Sequence, residues 1–162
     1  MRDGRFVKHL LYRRRLLAAA ILTAAIGAAA LHLNHNLEPG CTPVGGERIV
    51  SLPLAELGTG TARTFCYRDP GGNVIRFIVA RDSDGTIHSA FDACRNCFEH
   101  NLGYRLSGAQ MVCRFCGNRY PLREMGTGIA SCVPIRLPHL ALPDAVQIRV
   151  ADLEAGGRLF PR

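Results

Sequence analysis

The chain has 162 residues, seven cysteines and a formal net charge of +7. With 48% hydrophobic residues it is too apolar for a disordered protein, and its length suits one folded domain. The charge is uneven, because six of the 20 basic side chains lie in residues 1–15, whereas residues 34–162 contain 14 basic and 12 acidic side chains. This near-neutral body argues against nucleic acid as the partner.

An apolar segment follows the basic residues 1–15. Residues 16–33 contain no Asp, Glu, Lys or Arg, and as a helix at ~1.5 Å per residue they extend ~27 Å, close to the about 30 Å of a bilayer core. Arginines precede the segment and none follows until Arg48, which predicts a cytoplasmic N-terminus and an exported remainder. The segment is either a transmembrane anchor or, because residues 28–30 fit a small-x-small cleavage pattern, a signal peptide.

The residues after this segment predict a linker and then a mainly β soluble domain. Residues 34–46 are rich in Gly, Pro and Asn, as linkers are, and residues 47–162 form the predicted domain. The strongest strand is Val74–Ala80, which is rich in β-branched residues, and a turn at Ser83–Gly85 predicts a hairpin with residues 86–91. Further strands are predicted at residues 48–55, 61–68, 104–106, 110–113, 118–122 and 145–150.

Two cysteine pairs have the spacing C-x2-C-x15-C-x2-C, typical of a tetrathiolate metal site; they are Cys94 with Cys97 and Cys113 with Cys116. We predict that each pair forms a zinc-ribbon or rubredoxin-like knuckle, since two intervening residues let one turn direct both sulfurs at one ion. Gly117 suits the sharp turn after the second pair. Two structural disulfides are the alternative, because an exported protein can form them.

The spacing leaves the metal open, because tetrathiolate sites hold zinc, a single iron or iron–sulfur clusters. Three arginines beside the knuckles are positioned in sequence to offset the charge of four thiolates; they are Arg95, Arg114 and Arg119. Cys132 lies in a loop with glycines and a proline, and it is either an additional ligand, a redox thiol near the site or an ordinary buried cysteine. Cys41 and Cys66 form either a disulfide or two free thiols.

Other polar side chains have weaker claims to a chemical role. His100 is an alternative ligand if Cys94 or Cys97 does not bind, and Asp92 is interpreted as a turn former that orders the first knuckle, not as a catalytic base. The sequence contains no Ser/His/Asp arrangement and no phosphate-binding loop. We therefore expect no stand-alone enzyme, but an electron-transfer component if the metal centre is redox active.

The residues around the cysteines extend the pattern. They comprise Ala90–Cys97 (AFDACRNC), Gly103 with Tyr104, and Met111–Leu122 (MVCRFCGNRYPL), followed by Cys132 and Pro134. This pattern resembles the FtrD-like family of bacterial membrane iron–sulfur proteins over residues 62–162. The order of knuckles, glycine-containing stretch and closing strand is also similar to a Rieske domain, in which each pair contains a histidine; this likeness is a fold analogy only.

The FtrD-like resemblance implies an iron–sulfur cluster or mononuclear iron, with zinc as the alternative. The ligands would be Cys94, Cys97, Cys113 and Cys116, with Cys132 as a candidate for an additional one. Together with the charge asymmetry, the resemblance implies a single-pass protein of the bacterial inner membrane with a periplasmic domain. The implied partners are the lipid bilayer and a membrane protein, either an iron-uptake permease or a redox complex. The expected function is electron transfer or metal handling; the alternatives are a structural zinc-binding interaction module and a thiol–disulfide or metal-chaperone protein.

Overall fold

The computed structural model describes residues 40–127 and 132–160, which belong to one compact unit, residues 38–162. The predicted basic segment 1–15 and apolar segment 16–33 lie outside the described residues. Within the described ranges, no helix is both long enough and apolar enough to cross a bilayer.

The chain forms eleven strands and one α-helix in the described residues. In chain order the strands are β1 (Thr42–Val44), β2 (Ile49–Pro53), β3 (Thr61–Arg68), β4 (Val74–Arg81), β5 (Ile87–Cys94), β6 (Tyr104–Ser107), β7 (Gln110–Cys113), β8 (Arg119–Pro121), β9 (Pro134–Arg136), β10 (Leu140–Ala141) and β11 (Ala145–Arg149). The helix is α1 (Val150–Ala155), and single 3-10 turns occur at Leu54–Glu56, Phe98–His100, Leu122–Glu124 and Gly157–Leu159.

Three sheets build the domain. The central sheet has the order β1-β3-β4-β5-β9, in which β1 runs parallel to β3 and the other pairs are antiparallel. A second sheet has the order β10-β11-β2, and a third, which carries the second cysteine pair, has the order β6-β7-β8. The turn that joins β3 to β4 closes with a hydrogen bond from Gly72 N–H to Asp69 O at 2.9 Å.

The central sheet is covered on both faces, and β4 shows this most clearly. Ile75, Phe77 and Val79 pack in one core, whereas the alternate residues Ile78 and Ala80 pack in another. Because both faces are buried, the strand is a continuous apolar run instead of an apolar–polar alternation.

The two cores contain different parts of the chain. The first core, which joins the central sheet to β2, β11 and α1, consists of Val50, Leu52, Leu57, Phe65, Tyr67, Ile75, Phe77, Val79, Phe91, Ala93, Leu137, Val146, Ile148, Val150, Leu153, Leu159 and Phe160. The second core, which joins the central sheet to the β6-β7-β8 sheet, consists of Ile78, Ala80, Ala90, Cys94, Tyr104, Met111, Cys113, Tyr120, Leu122, Met125, Cys132 and Val133.

The observed elements confirm the predicted mainly β domain and the β4–β5 hairpin, and they differ from prediction at both ends. Within the segment predicted as a linker, Thr42–Val44 forms β1, and Cys41 and Cys66 form a disulfide with their Cα atoms 5.7 Å apart. Val150, predicted to end a strand, instead begins α1. The end of this helix packs very closely on the sheet, since a Cβ at Gly156 would lie 2.2 Å from a ring carbon of Phe91.

Candidate metal centre

Five cysteines come together at the second core, which contains three of them and has Cys97 packed against it, while Cys116 is exposed. Cys94 ends β5, and Cys97 follows in the turn after it. Cys113 ends β7, and Cys116 lies in the turn that leads to β8. Cys132 comes two residues before β9, and none of the five is in a disulfide. The alternative of two structural disulfides in the knuckles is therefore wrong for this fold.

The sulfur atoms form one group with Cys132 at its middle. The Sγ atoms of Cys94, Cys97, Cys113 and Cys132 all lie within 4.8 Å of one another. Cys132 Sγ lies 3.4 Å from Cys97 Sγ and 3.0 Å from Cys116 Sγ, and Cys116 is exposed. The structure thus brings all five predicted residues together, but the most compact set of four contains Cys132 in place of Cys116.

Each knuckle turn is closed by a hydrogen bond that a backbone N–H of the turn donates. In the first, the Cys97 N–H donates to Cys94 Sγ at 2.9 Å. In the second, the Gly117 N–H donates to Cys113 O at 3.0 Å, with Gly117 in the left-handed region at φ +75°. Glycine adopts this conformation without steric cost, which explains its position directly after Cys116.

Cys132 is held in place through three elements. The Tyr104 hydroxyl donates to Cys132 O at 2.7 Å, and the Arg95 N–H donates to Val133 O at 3.1 Å. The pairing of β9 with β5 sets Pro134 opposite Cys94, at a shift in register between the two strands. Both knuckles and the edge of the central sheet therefore meet at Cys132.

Asp92 fixes the segment between the knuckles onto the central sheet. It is buried in β5, not in a turn as the sequence predicted, and it accepts a hydrogen bond from Tyr104 N–H at 2.6 Å. Arg76 Nε lies 3.4 Å from its carboxylate. Burial raises the pKa of Asp92 to about 6, while the Tyr104 N–H and the charges of Arg76 and Arg114 act in the opposite direction.

Gly103 is required beside Asp92 for two reasons. Its φ is +63°, and a Cβ at this position would lie 2.5 Å from both carboxylate oxygens of Asp92. Sequence reasoning did not identify Arg76, Asp92 and Gly103 as one interacting group, although Asp92 and Gly103 both belong to the family-like pattern. The only sequence signal for this contact was Gly103 directly before the aromatic residue Tyr104.

The Cys97 thiol favours its protonated state when no cation is present. The neighbouring Cys94 sulfur raises the pKa of the Cys97 thiol most strongly, and burial and Cys132 raise it further. Burial, followed by the charge of Cys94, also raises the pKa of Tyr104. A bound cation compensates for this repulsion, because metal ligation stabilises thiolates.

The arginines and the histidine that the sequence associated with the cysteines lie outside the compact sulfur group. Arg95, Arg114 and Arg119 are exposed, and Arg114 Nε donates to Tyr104 O at 3.1 Å. His100, predicted as an alternative ligand, is not in the compact group; its ring stacks on Phe115 with centroids 3.8 Å apart.

The sulfur geometry fits a single tetrahedral ion. Thiolates at about 2.3 Å from one ion lie about 3.8 Å from one another, which a group contained within 4.8 Å accommodates. A cluster distributes its thiolates over several irons and holds some of them farther apart, because the metal–metal distance is added. Soft thiolate ligands suit zinc and iron, so the donor set and its spacing agree on a metal centre.

The comparisons with known proteins agree with this chemistry. The family model described as "Membrane iron-sulfur containing protein FtrD-like" matches residues 57–160, which include the five clustered cysteines. Searches of the curated proteins and of the solved structures returned no significant match. The chain belongs to the FtrD-like family of membrane iron–sulfur containing proteins.

Proposed function

We propose that this domain transfers electrons through a single iron ion bound by four thiolates. The observation that carries the proposal is the group of four Sγ atoms within 4.8 Å in a member of an iron–sulfur family. Iron in such a site supplies a one-electron couple, whereas zinc has no redox chemistry. The protein's part is to hold the ligands and to keep water from the buried sulfurs.

The proposed ligands are four of the five clustered cysteines, namely Cys94, Cys97, Cys113 and Cys132. Cys94, Cys113 and Cys132 are buried and Cys97 is half-buried, so the protein shields these four sulfurs from bulk water. Cys116 is exposed and remains beside the site, 3.0 Å from Cys132. This assignment replaces Cys116, which the paired spacing favours, by Cys132.

The domain is proposed to work at the periplasmic face of the bacterial inner membrane, next to a membrane protein that exchanges electrons or metal with it. The Cys41–Cys66 disulfide supports an oxidising compartment. The apolar residues 16–33 would anchor the chain, with the basic residues 1–15 on the cytoplasmic side.

Metal analysis of protein purified without oxygen tests this function. We expect about one iron per chain, no acid-labile sulfide and a visible spectrum that bleaches on reduction. Acid-labile sulfide would indicate a cluster instead. A colourless protein with one zinc would support the structural zinc-binding module, and metal-free protein with a measurable dithiol potential would support the thiol–disulfide alternative.

The ligand assignment has a matched pair of variants. Cys132→Ser should lower iron retention against a competing chelator by at least about tenfold, since it removes a buried ligand. Cys116→Ser should retain iron with an unchanged spectrum. The opposite result, loss of iron only in Cys116→Ser, would return the ligand set to the one that the spacing predicts.

A further inference from the structure

The second knuckle and the segment before β6 each expose a large apolar side chain. Phe115 is 53% exposed and Leu102 is 47% exposed, which makes them two of four large hydrophobic side chains so exposed in the described residues. Phe115 is held by its stacking on His100, and it directly precedes the exposed Cys116. An ordered aromatic side chain next to an exposed thiol of the centre is suited to contact with a partner.

The same stretch carries the positive charge of the domain. Residues 95–119 contain four basic and one acidic side chain, whereas residues 40–91 contain five of each and residues 132–160 three of each. The four basic side chains are all exposed; they are Arg95, Arg105, Arg114 and Arg119. Arg105 and Arg119 both pair with Val112 of β7, so they lie on one face of the third sheet. Leu102, Arg105 and Arg114 line one depression. We call the exposed residues of this stretch, the four arginines with Leu102, Phe115 and Cys116, the knuckle face.

We propose that the knuckle face docks an acidic redox protein, an inference that rests on the electron-transfer function proposed above. An apolar centre with an arginine-rich, acid-poor rim has the composition of a protein interface. Opposite charge on the partner would steer the encounter and orient it, which suits the small, transient contacts of electron-transfer proteins. Docking here sets the partner against Cys116, the one exposed sulfur of the group in the described residues.

A lipid surface has the same negative charge, but it fits the knuckle face less well. Headgroups over Phe115 and Cys116 would cover the exposed sulfur and supply no electron acceptor at the point where the centre is nearest to solvent. The charge and the exposed thiol together therefore favour a protein partner.

Electron transfer to two c-type cytochromes of opposite surface charge tests the proposal. The reduced, iron-loaded full chain is mixed with an acidic or a basic cytochrome, and one electron leaves the iron and reduces the cytochrome haem. At about 0.01 M salt we expect the acidic cytochrome to react at least about tenfold faster. This advantage should disappear near 1 M salt, where the Debye length is about 3 Å.

A matched pair of double variants locates the effect. Arg95→Gln with Arg119→Gln removes two charges from the knuckle face and should lower the low-salt rate with the acidic cytochrome about tenfold. Arg48→Gln with Arg158→Gln removes two exposed charges from segments that pack on the first core, and should leave the rate unchanged. The midpoint potential is measured in parallel, since arginines that only stabilise the metal charge would shift the potential.

Each contrary outcome identifies what has failed. Equal rates with both cytochromes, a rate change explained by the potential, or adsorption of the knuckle face to anionic vesicles with loss of electron transfer would overturn the docking proposal alone. A colourless, zinc-containing protein would overturn the electron-transfer function and the redox partner with it.

Discussion

The two faces of the central sheet are packed by different chemistries. The first core consists of aliphatic and aromatic side chains, and burying each large one contributes about 1.5–3 kcal/mol. The second core contains three of the clustered cysteines and two tyrosines, and its covering sheet has strands of only three or four residues. Strands this short bury few side chains of their own, so a bound metal should contribute a larger share of the stability on this face. We therefore expect burial alone to stabilise the first face, and burial together with a bound metal to stabilise the second.

Metal removal should separate the two faces most strongly. A chelator that strips the centre should expose the amides of β6, β7 and β8 to hydrogen exchange, because a structural metal site contributes on the order of 10 kcal/mol. The amides of β3, β4 and β5 should keep most of their protection, since the first core remains packed. Hydrogen exchange with mass spectrometry measures both. Simultaneous loss of protection in all six strands would show that the faces do not unfold separately.

Loss of the disulfide should destabilise the β1 edge of the central sheet. The double variant Cys41→Ala with Cys66→Ala releases a loop with a sequence separation of 25 residues, which lowers the free energy of unfolding by about 3.5 kcal/mol in the chain-entropy model. Denaturant unfolding measures this change. Iron content and spectrum should stay as in the wild type; loss of iron would mean that the disulfide supports the metal centre directly.

Two glycines give a matched test with a smaller effect. Gly156→Ala forces a methyl group against Phe91 and should cost about 1–3 kcal/mol of stability without changing metal affinity. Gly103→Ala forces a methyl group against the Asp92 carboxylate at a positive φ, and should instead weaken metal retention. Thermal unfolding and chelator competition are measured for both variants. Identical profiles would remove the distinction between the faces.

The smallest effect concerns the hairpin between β4 and β5. The His88 hydrogen bond at 2.8 Å, together with the Thr86 and Asp84 N–H groups, lowers the pKa of Asp82 below its ordinary value. A lowered carboxylate pKa contributes stability above the unfolded value of about 3.9, and this contribution is lost as the pH falls through the folded value. Asp82→Asn should therefore destabilise the domain near neutral pH and have less effect in acid. Urea unfolding at several pH values checks this.

Local features of the fold could be predicted from the sequence. The Asp69–Gly72 turn and the β-branched run in β4 specify their conformations through neighbouring residues, and the β3–β4–β5 meander follows from them. The two C-x2-C pairs likewise specify their knuckles, because a tight turn directs both sulfurs. These predictions needed no knowledge of distant contacts.

Contacts between distant residues could not be predicted in the same way. Cys132 joins the compact sulfur group because β9 pairs with β5, and spacing alone favours Cys116. The Cys41–Cys66 pairing depends on the parallel register of β1 and β3, in which Thr42 faces Phe65. Helix α1 has only six residues, too few for a periodic pattern, and it is stabilised by packing on the first core.

The Cys41–Cys66 disulfide also has a mechanical consequence. Tension applied through the residues before Gly40 would pass through the disulfide into β3, the second strand of the central sheet. Without the disulfide, the same tension would first separate the three-residue strand β1 from the edge of the sheet. A domain tethered at that end would transmit the load to its most extensively paired strands. In a domain tethered in this way, the Cys41–Cys66 bond would be the covalent link that carries the load into the central sheet.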